Sequence, residues 1–416
     1  MRRLLVRRSL TAVGIYSSVI LGFLATVVAT HELHSVSRFG DYAAVIVAAG
    51  LLQSFFDVTV EEALVKYGFR YSTREDWGRL RRLFVSGFAL KLAGAALAGL
   101  GLVIFALAAK QRLETPLLVA APLPLAQSLE GFFGSMLYLR SRYDIRSLLL
   151  GWSMALRLAG VAVGAHYGVT QAVLGVLVAQ AVATATVAVV GLLAFRRFPR
   201  VPSAPLGDER REIVSFVVQS SIATGVLSLR GGLAPLLLAA VTSNRQLGLF
   251  RVAQAPQSGF QALSAPARMV LLTEQTRDWE RGRQSAVLRG VRRYSIVAFG
   301  LSLVLAPPLL IWIPTLIRWI YRPEYVGASN AARFSILAAV VQLVVGWTKS
   351  FPVTIGRPGL RIVTHGIETA IVLPLTVVFG LYWGATGAAA AVFVGMCAFA
   401  LAWWFIFLRV KPEDTP

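Results

Sequence analysis

Of the 41 Lys and Arg residues in this 416-residue chain, five fall inside long apolar stretches: Lys91, Arg157, Arg230, Arg268 and Arg333. A charge at the centre of a membrane helix costs about 2.5–3.5 kcal/mol on insertion scales, so each needs a partner or a task. Guanidinium stays ionised and offers a planar fork of donors that fits phosphate oxygens two at a time. Arg230 and Arg268 are therefore candidate contacts for an anionic group. Arg157 has two readings: an ion pair with Glu130, at similar depth on the preceding helix, or a further contact on the path of an anionic cargo. Arg268, near a helix end, could equally snorkel to the interface, and snorkelling is expected of Lys91 and Arg333.

The carboxylates suggest a second kind of chemistry. Asp57 and Glu61 are four apart and share a helix face, and Glu62 is placed to pair with Lys66 one turn on. Two carboxylates on one face repel, which would raise one pKa and make a proton or Na+ coupling site; ion pairing with Arg at the cytoplasmic boundary is the structural alternative. Glu368 is a further coupling candidate. Amides supply the third element. Gln254, Gln257 and Gln261 recur at spacings of three and four, so they form one polar stripe on an otherwise apolar helix, and Gln53 and Gln219 add to it. Such a stripe suits sugar hydroxyls, with interhelical hydrogen bonding as the other reading.

Bond-making chemistry has no candidate residues. The lone Cys397 excludes an intrachain disulfide and a thiolate metal cluster, and the four histidines show no zinc spacing. No Gly-rich loop ending in Lys and Ser or Thr is present, so direct ATP hydrolysis is not expected. Neither metal nor cofactor is expected.

These groups must be positioned by membrane helices. The chain is 56% hydrophobic and 15% charged, a composition that makes it an integral membrane protein. Apolar runs bounded by charge or turn residues predict twelve spans. The first six are Ser9 to Thr30, Phe39 to Tyr67, Leu83 to Ala109, Pro116 to Leu139, Ser147 to Tyr167 and Ala172 to Phe195. The second six are Ile213 to Val241, Leu247 to Thr273, Tyr294 to Tyr321, Ala328 to Pro352, Arg361 to Tyr382 and Ala385 to Leu408. The net charge of +21 would suit nucleic acid, but its distribution excludes that partner. With the N-terminus inside, 29 Lys and Arg lie in inner segments and 7 in outer ones. That asymmetry places both termini in the cytoplasm. The basic N-terminus followed by Ser9 to Thr30 imitates a secretory leader, yet the run is long enough to span and is expected to remain.

The segment between Phe195 and Ile213 contains Pro199, Pro202 and Pro205 among charges of both signs, which predicts an exposed cytoplasmic linker over 197–212 between bundles at 1–196 and 213–409. Weak internal matches support two halves. Arg38-Phe39-Gly40-Asp41-Tyr42 recurs loosely as Gln246-Leu247-Gly248-Leu249-Phe250. The Arg142 to Arg146 segment corresponds to Arg357 to Arg361, and Gly168-Val169-Thr170 to Gly384-Ala385-Thr386. Two even-numbered halves have the same orientation, a parallel repeat with the cargo between them. Among the prolines inside helices, Pro307-Pro308 is the best hinge candidate.

The Arg38 to Tyr42 motif, the Asp57 to Lys66 helix end, the basic segment after it and Arg318-Trp-Ile-Tyr-Arg-Pro-Glu-Tyr-Val-Gly-Ala328 resemble the polysaccharide biosynthesis flippases. These are the Wzx-type lipid-linked oligosaccharide transporters of the multidrug, oligosaccharidyl-lipid and polysaccharide exporter superfamily. The resemblance covers essentially Ser9 to Leu408. It implies two six-helix bundles forming a V, alternating access, and a cationic cavity for polyprenyl-diphosphate-linked glycans in the bacterial cytoplasmic membrane, alongside polysaccharide assembly proteins. In that fold the first two helices of each half line the cleft, which places Arg230 and Arg268 there. One departure matters: the first helix carries no charge, whereas related lipid II flippases carry charged residues there and many drug exporters an acidic one. The expected function is thus a glycan flippase and not an enzyme. A cation-coupled exporter of drugs or other small molecules is the alternative within the fold.

Overall fold

The computed structural model describes residues 2–109, 111–260, 275, 278–279, 283–349, 351–355, 357 and 359–410. All regular structure among them is helical. Ten helices are long and apolar enough to cross a membrane. The count reconciles with twelve predicted spans in two places. The eighth span is described only as far as residue 260, and the last two run together as one 50-residue helix, Leu360–Arg409, kinked at Gly384.

Two compact units divide at Gly232 and Leu233. The first contains α1 (Arg2–Glu32), α2 (Val36–Phe56), α3 (Val60–Thr73), α4 (Trp77–Ala108), α5 (Gln111–Ala120), α6 (Leu123–Leu139), α7 (Tyr143–Tyr167), α8 (Val169–Arg196) and α9 (Glu209–Ser228). Within it α7 packs between α1 and α8, α6 packs on α4 and α8, and α9 lies against α2 and α3. Its inner core gathers Leu64, Tyr67, Tyr71, Phe132 and Met136.

The second unit contains α10 (Ala234–Val241), α11 (Asn244–Ala253), α12 (Gln284–Ile320), α13 (Ser329–Val344), the short α14 (Phe351–Thr354) and α15 (Leu360–Arg409). Here α13 packs on α12 and α15, and α10 and α11 pack on α15. Trp347, Phe351, Trp403 and Phe407 centre its core. A π-helical turn, Leu229–Leu233, follows α9.

Local chemistry explains the repeat motifs. Ser35 and Ser243 are both extended N-caps, and their hydroxyls accept from the backbone N–H of Ser37 and Gln246. A capped helix start thus precedes each copy of the motif. Gly168 and Gly384 both have positive φ, 133° and 55°, which a side chain would oppose. At Gly384 the helix is interrupted, and Gln246 Oε1, of the side-chain amide, accepts the freed Ala385 N–H at 2.9 Å. Two of the matched motifs therefore meet in the fold.

The predicted second span is not continuous. Asp57, Val58 and Thr59 leave the helix between α2 and α3. The predicted linker is also not free: the Ala204 N–H donates to Gly78 O at 3.0 Å, and Phe198 stacks near Trp77. Pro307, Pro308 and Pro314 all lie inside α12. Pro314 cannot donate to Leu310 O, and Arg333 does so instead through Nε at 3.3 Å. Arg333 is exposed.

Candidate functional site

The break between α2 and α3 is organised around Lys91. This residue of α4 is 2% exposed. Its Nζ lies 2.5 Å from Asp57 Oδ1 and 2.6 Å from Glu61 Oε1, and donates to Val58 O at 3.4 Å. Snorkelling is thereby corrected. Reaching an interface would leave two carboxylates facing each other in the interior, whereas one ammonium between them compensates both. The break also uses Gly94, where a Cβ would come within 2.5 Å of Phe56 O.

Hydroxyls of α9 satisfy the remaining groups. The Thr59 N–H donates to Ser221 Oγ at 3.0 Å, and Thr59 Oγ1 donates to Thr224 Oγ1 at 3.3 Å. Ser220 donates to Glu62, so the expected Glu62–Lys66 pair gives way. Lys66 Nζ sits instead over the rings of Phe216 and Tyr67, at 4.4 and 5.1 Å. An interrupted membrane helix whose polar backbone is held by protein groups is a site at which a small ion could be exchanged. Here a tethered ammonium occupies that position.

A second buried network excludes the Glu130–Arg157 pair. Glu130 accepts from Arg146 Nη1 at 3.2 Å, Ser153 Oγ at 3.2 Å and Gln180 Nε2 at 2.7 Å. All three of these donors come from α7 and α8. Arg157, about three turns farther along α7 than Arg146, is half-buried. It has no ion-pair or hydrogen-bond partner among the described residues.

The amides divide. Gln53 is half-buried, and Gln219 bonds Ser215 on its own helix at 3.0 Å. Gln254 ends α11 and accepts from Arg251 at 3.1 Å. Gln257 donates to Gln342 of α13 at 3.4 Å, an interhelical bond of the kind foreseen as an alternative. Gln261 and Arg268 lie outside the described residues, and Arg230 falls in the π-helical turn. Glu368 is fully buried, with His365 Nδ1 at 3.0 Å and the His365 ring stacked on Phe399.

Within unit one, α3 and α9 are also joined by charge. Glu212 accepts from Arg70 at 3.3 Å and Tyr67 at 3.1 Å, while Glu209 accepts from Tyr71 at 2.6 Å and faces Arg70, Arg74 and Arg79. Burial, reinforced by the Glu209 hydrogen bond, pushes the Tyr71 phenol above its ordinary range. Nothing in the sequence spacing singles out Arg146, Ser153, Gln180 or the α9 hydroxyls. Their polar types on apolar helices were the available signal; their partners lie on other helices.

No family model matches the sequence, and no curated protein matches it. Solved structures do. A lipid II flippase, MurJ, in an inward closed conformation superposes with a TM-score of 0.76 at 14% identity, over 97% of this chain and 88% of that one. An inward-facing multidrug resistance transporter of the MATE family and MOP superfamily gives 0.72 at 12% identity, over 94% of each. A mutant of the Vibrio cholerae MATE transporter VcmN gives 0.65 at 14%, over 98% of this chain and 96% of that one. The chain is thus a multi-span, all-helical membrane protein with the fold shared by MurJ and the MATE transporters.

Proposed function

We propose that this protein moves a glycan linked to a polyprenyl diphosphate across a bacterial cytoplasmic membrane, by alternating access, for cell-surface polysaccharide assembly. The pairing of interior charges carries the reading. Asp57, Glu61, Glu130 and Glu368 each lie against a basic side chain, whereas Arg157 has no partner among the described residues. Occupied carboxylates and a spare guanidinium suit an anionic cargo, because a cation would need free acids in the interior. That one protein of this fold is a lipid II flippase agrees with the reading, and the MATE likenesses keep small-molecule export as the competing function.

In this reading Arg157, Arg230 and Arg268 contact the diphosphate, and Gln53, Gln219, Gln254, Gln257 and Gln261 contact sugar hydroxyls. The bundles at 1–196 and 213–409, joined by 197–212, alternate about the cargo with both termini in the cytoplasm. Exchange of H+ or Na+ at Asp57 and Glu61, once Lys91 moves off them, or at Glu368, supplies any coupling. The protein cooperates with polysaccharide assembly proteins and uses no nucleotide.

The test is translocation of a fluorescent polyprenyl-diphosphate oligosaccharide in proteoliposomes. Arg157→Gln, Arg230→Ala and Arg268→Ala should each lower the rate at least fivefold with equal protein incorporated. Full rates in all three would remove the site, and extrusion of cationic dyes without glycan transport would favour the exporter.

A further inference from the structure

The first turns of α9 sort their charges by face. Glu209 and Glu212 turn onto Arg70, Arg74 and Arg79, so their charge is cancelled on the side that meets α3. Arg210 and Arg211 are exposed on the other side, with no ion pair or side-chain hydrogen bond among the described residues. They line an open cavity of about 880 Å³ together with Val214, Ser215, Val218 and Gln219. Asp208 is the third charged group of that lining, so the arginines leave it net positive.

Beyond the arginines the same exposed face carries two tracks. Val214, Val218 and Ile222 are 50%, 49% and 57% exposed and recur every four residues, which aligns them along the helix axis. Ser215 and Gln219 repeat at the same spacing one position on and are hydrogen-bonded to each other. An apolar rail therefore runs beside a polar one, and both begin at the guanidinium pair. A helix facing only hydrocarbon would show no polar rail, and one facing only water no apolar rail. The segregation matches an amphiphile with a doubly charged head, a hydroxylated part and a long hydrocarbon tail.

We propose that this face of α9 captures the diphosphate headgroup of the polyprenyl-linked cargo at the cytoplasmic leaflet, before translocation. This rests on the flippase reading and adds a loading step that precedes the interior contacts and shares Gln219 with them. Arg210 and Arg211 grip the diphosphate bidentately. Val214, Val218 and Ile222 lie along the polyprenyl tail, and Ser215 and Gln219 face the first sugar.

Binding of a fluorescent polyprenyl diphosphate without glycan, to the full chain in nanodiscs, tests the proposal. Arg210→Gln/Arg211→Gln should weaken binding at least tenfold. Val214→Ser/Val218→Ser should weaken the lipid while leaving inorganic pyrophosphate binding as in the wild type. The substituted side chains are exposed, so thermal midpoints should match the wild type. Wild-type affinity in the arginine variant would overturn the capture face alone, as would equal competition by phosphatidylglycerol vesicles, which would reduce the arginines to generic membrane charge. If the wild type binds no polyprenyl diphosphate, the flippase reading falls as well.

Discussion

At the scale of single residues, a buried charge is cheap only while its partner remains. Lys91 compensates two carboxylates, and Glu130 is compensated by Arg146. Removing one member of a buried pair costs about 3–5 kcal/mol because the other charge stays buried and unpaired. Lys91→Met should thus lower the thermal midpoint in detergent sharply, and adding Asp57→Asn and Glu61→Gln should recover most of the loss. If the triple variant is no more stable than Lys91→Met, compensation is not what Lys91 contributes. A second contrast separates the two arginines of α7. Arg146→Met should destabilise by a similar amount, whereas Arg157→Met should leave the midpoint close to wild type; equal losses would mean that Arg157 is also paired. The sequence put Asp57 and Glu61 on one face, because spacing within a helix fixes that. It did not pair them with Lys91, nor Glu130 with Arg146, because an α4 or α7 that is apolar on most faces gives no signal of which way a given position turns.

At the scale of elements, membrane helices here meet through absent side chains. Without a hydrophobic drive between helices in lipid, close backbone approach is what holds them together. Gly160 of α7 and Gly175 of α8 face each other so closely that a Cβ on either would lie 2.2 or 2.0 Å from the other's carbonyl oxygen. Gly160→Leu should therefore push α7 off α8, where Gln180 holds Glu130, and should lower both the thermal midpoint and folded yield. Gly300→Leu, on α12 where nothing lies within 4 Å, should be tolerated, and a comparable loss there would argue against close packing as the cause. The apolar runs were legible because twenty residues without charge have few soluble uses. The interruption at Asp57 to Thr59 was not. It contains neither Gly nor Pro, and its unpaired groups are satisfied by Lys91 and Ser221 from elsewhere in the chain, a tertiary effect that overrides local pattern.

At the scale of the whole molecule, orientation rests on numbers and not on any one contact. Positive-inside bias acts through loops near the ends of spans, and the 29 to 7 division of Lys and Arg is large enough that no single substitution should invert the chain. The consequence can be measured with two exposed positions that the expected topology puts on opposite sides. Tyr167 ends α7 and is 72% exposed, and Arg200 is exposed in the proline-rich segment between α8 and α9. In a Cys397→Ser background, Tyr167→Cys should react with a membrane-impermeant maleimide on intact spheroplasts, and Arg200→Cys should react only after lysis. The reverse pattern would place Arg210 and Arg211 outside, where a lipid-linked precursor made in the cytoplasm could not be loaded. Labelling of both from outside would mean mixed orientation, which would remove the sidedness that alternating access requires.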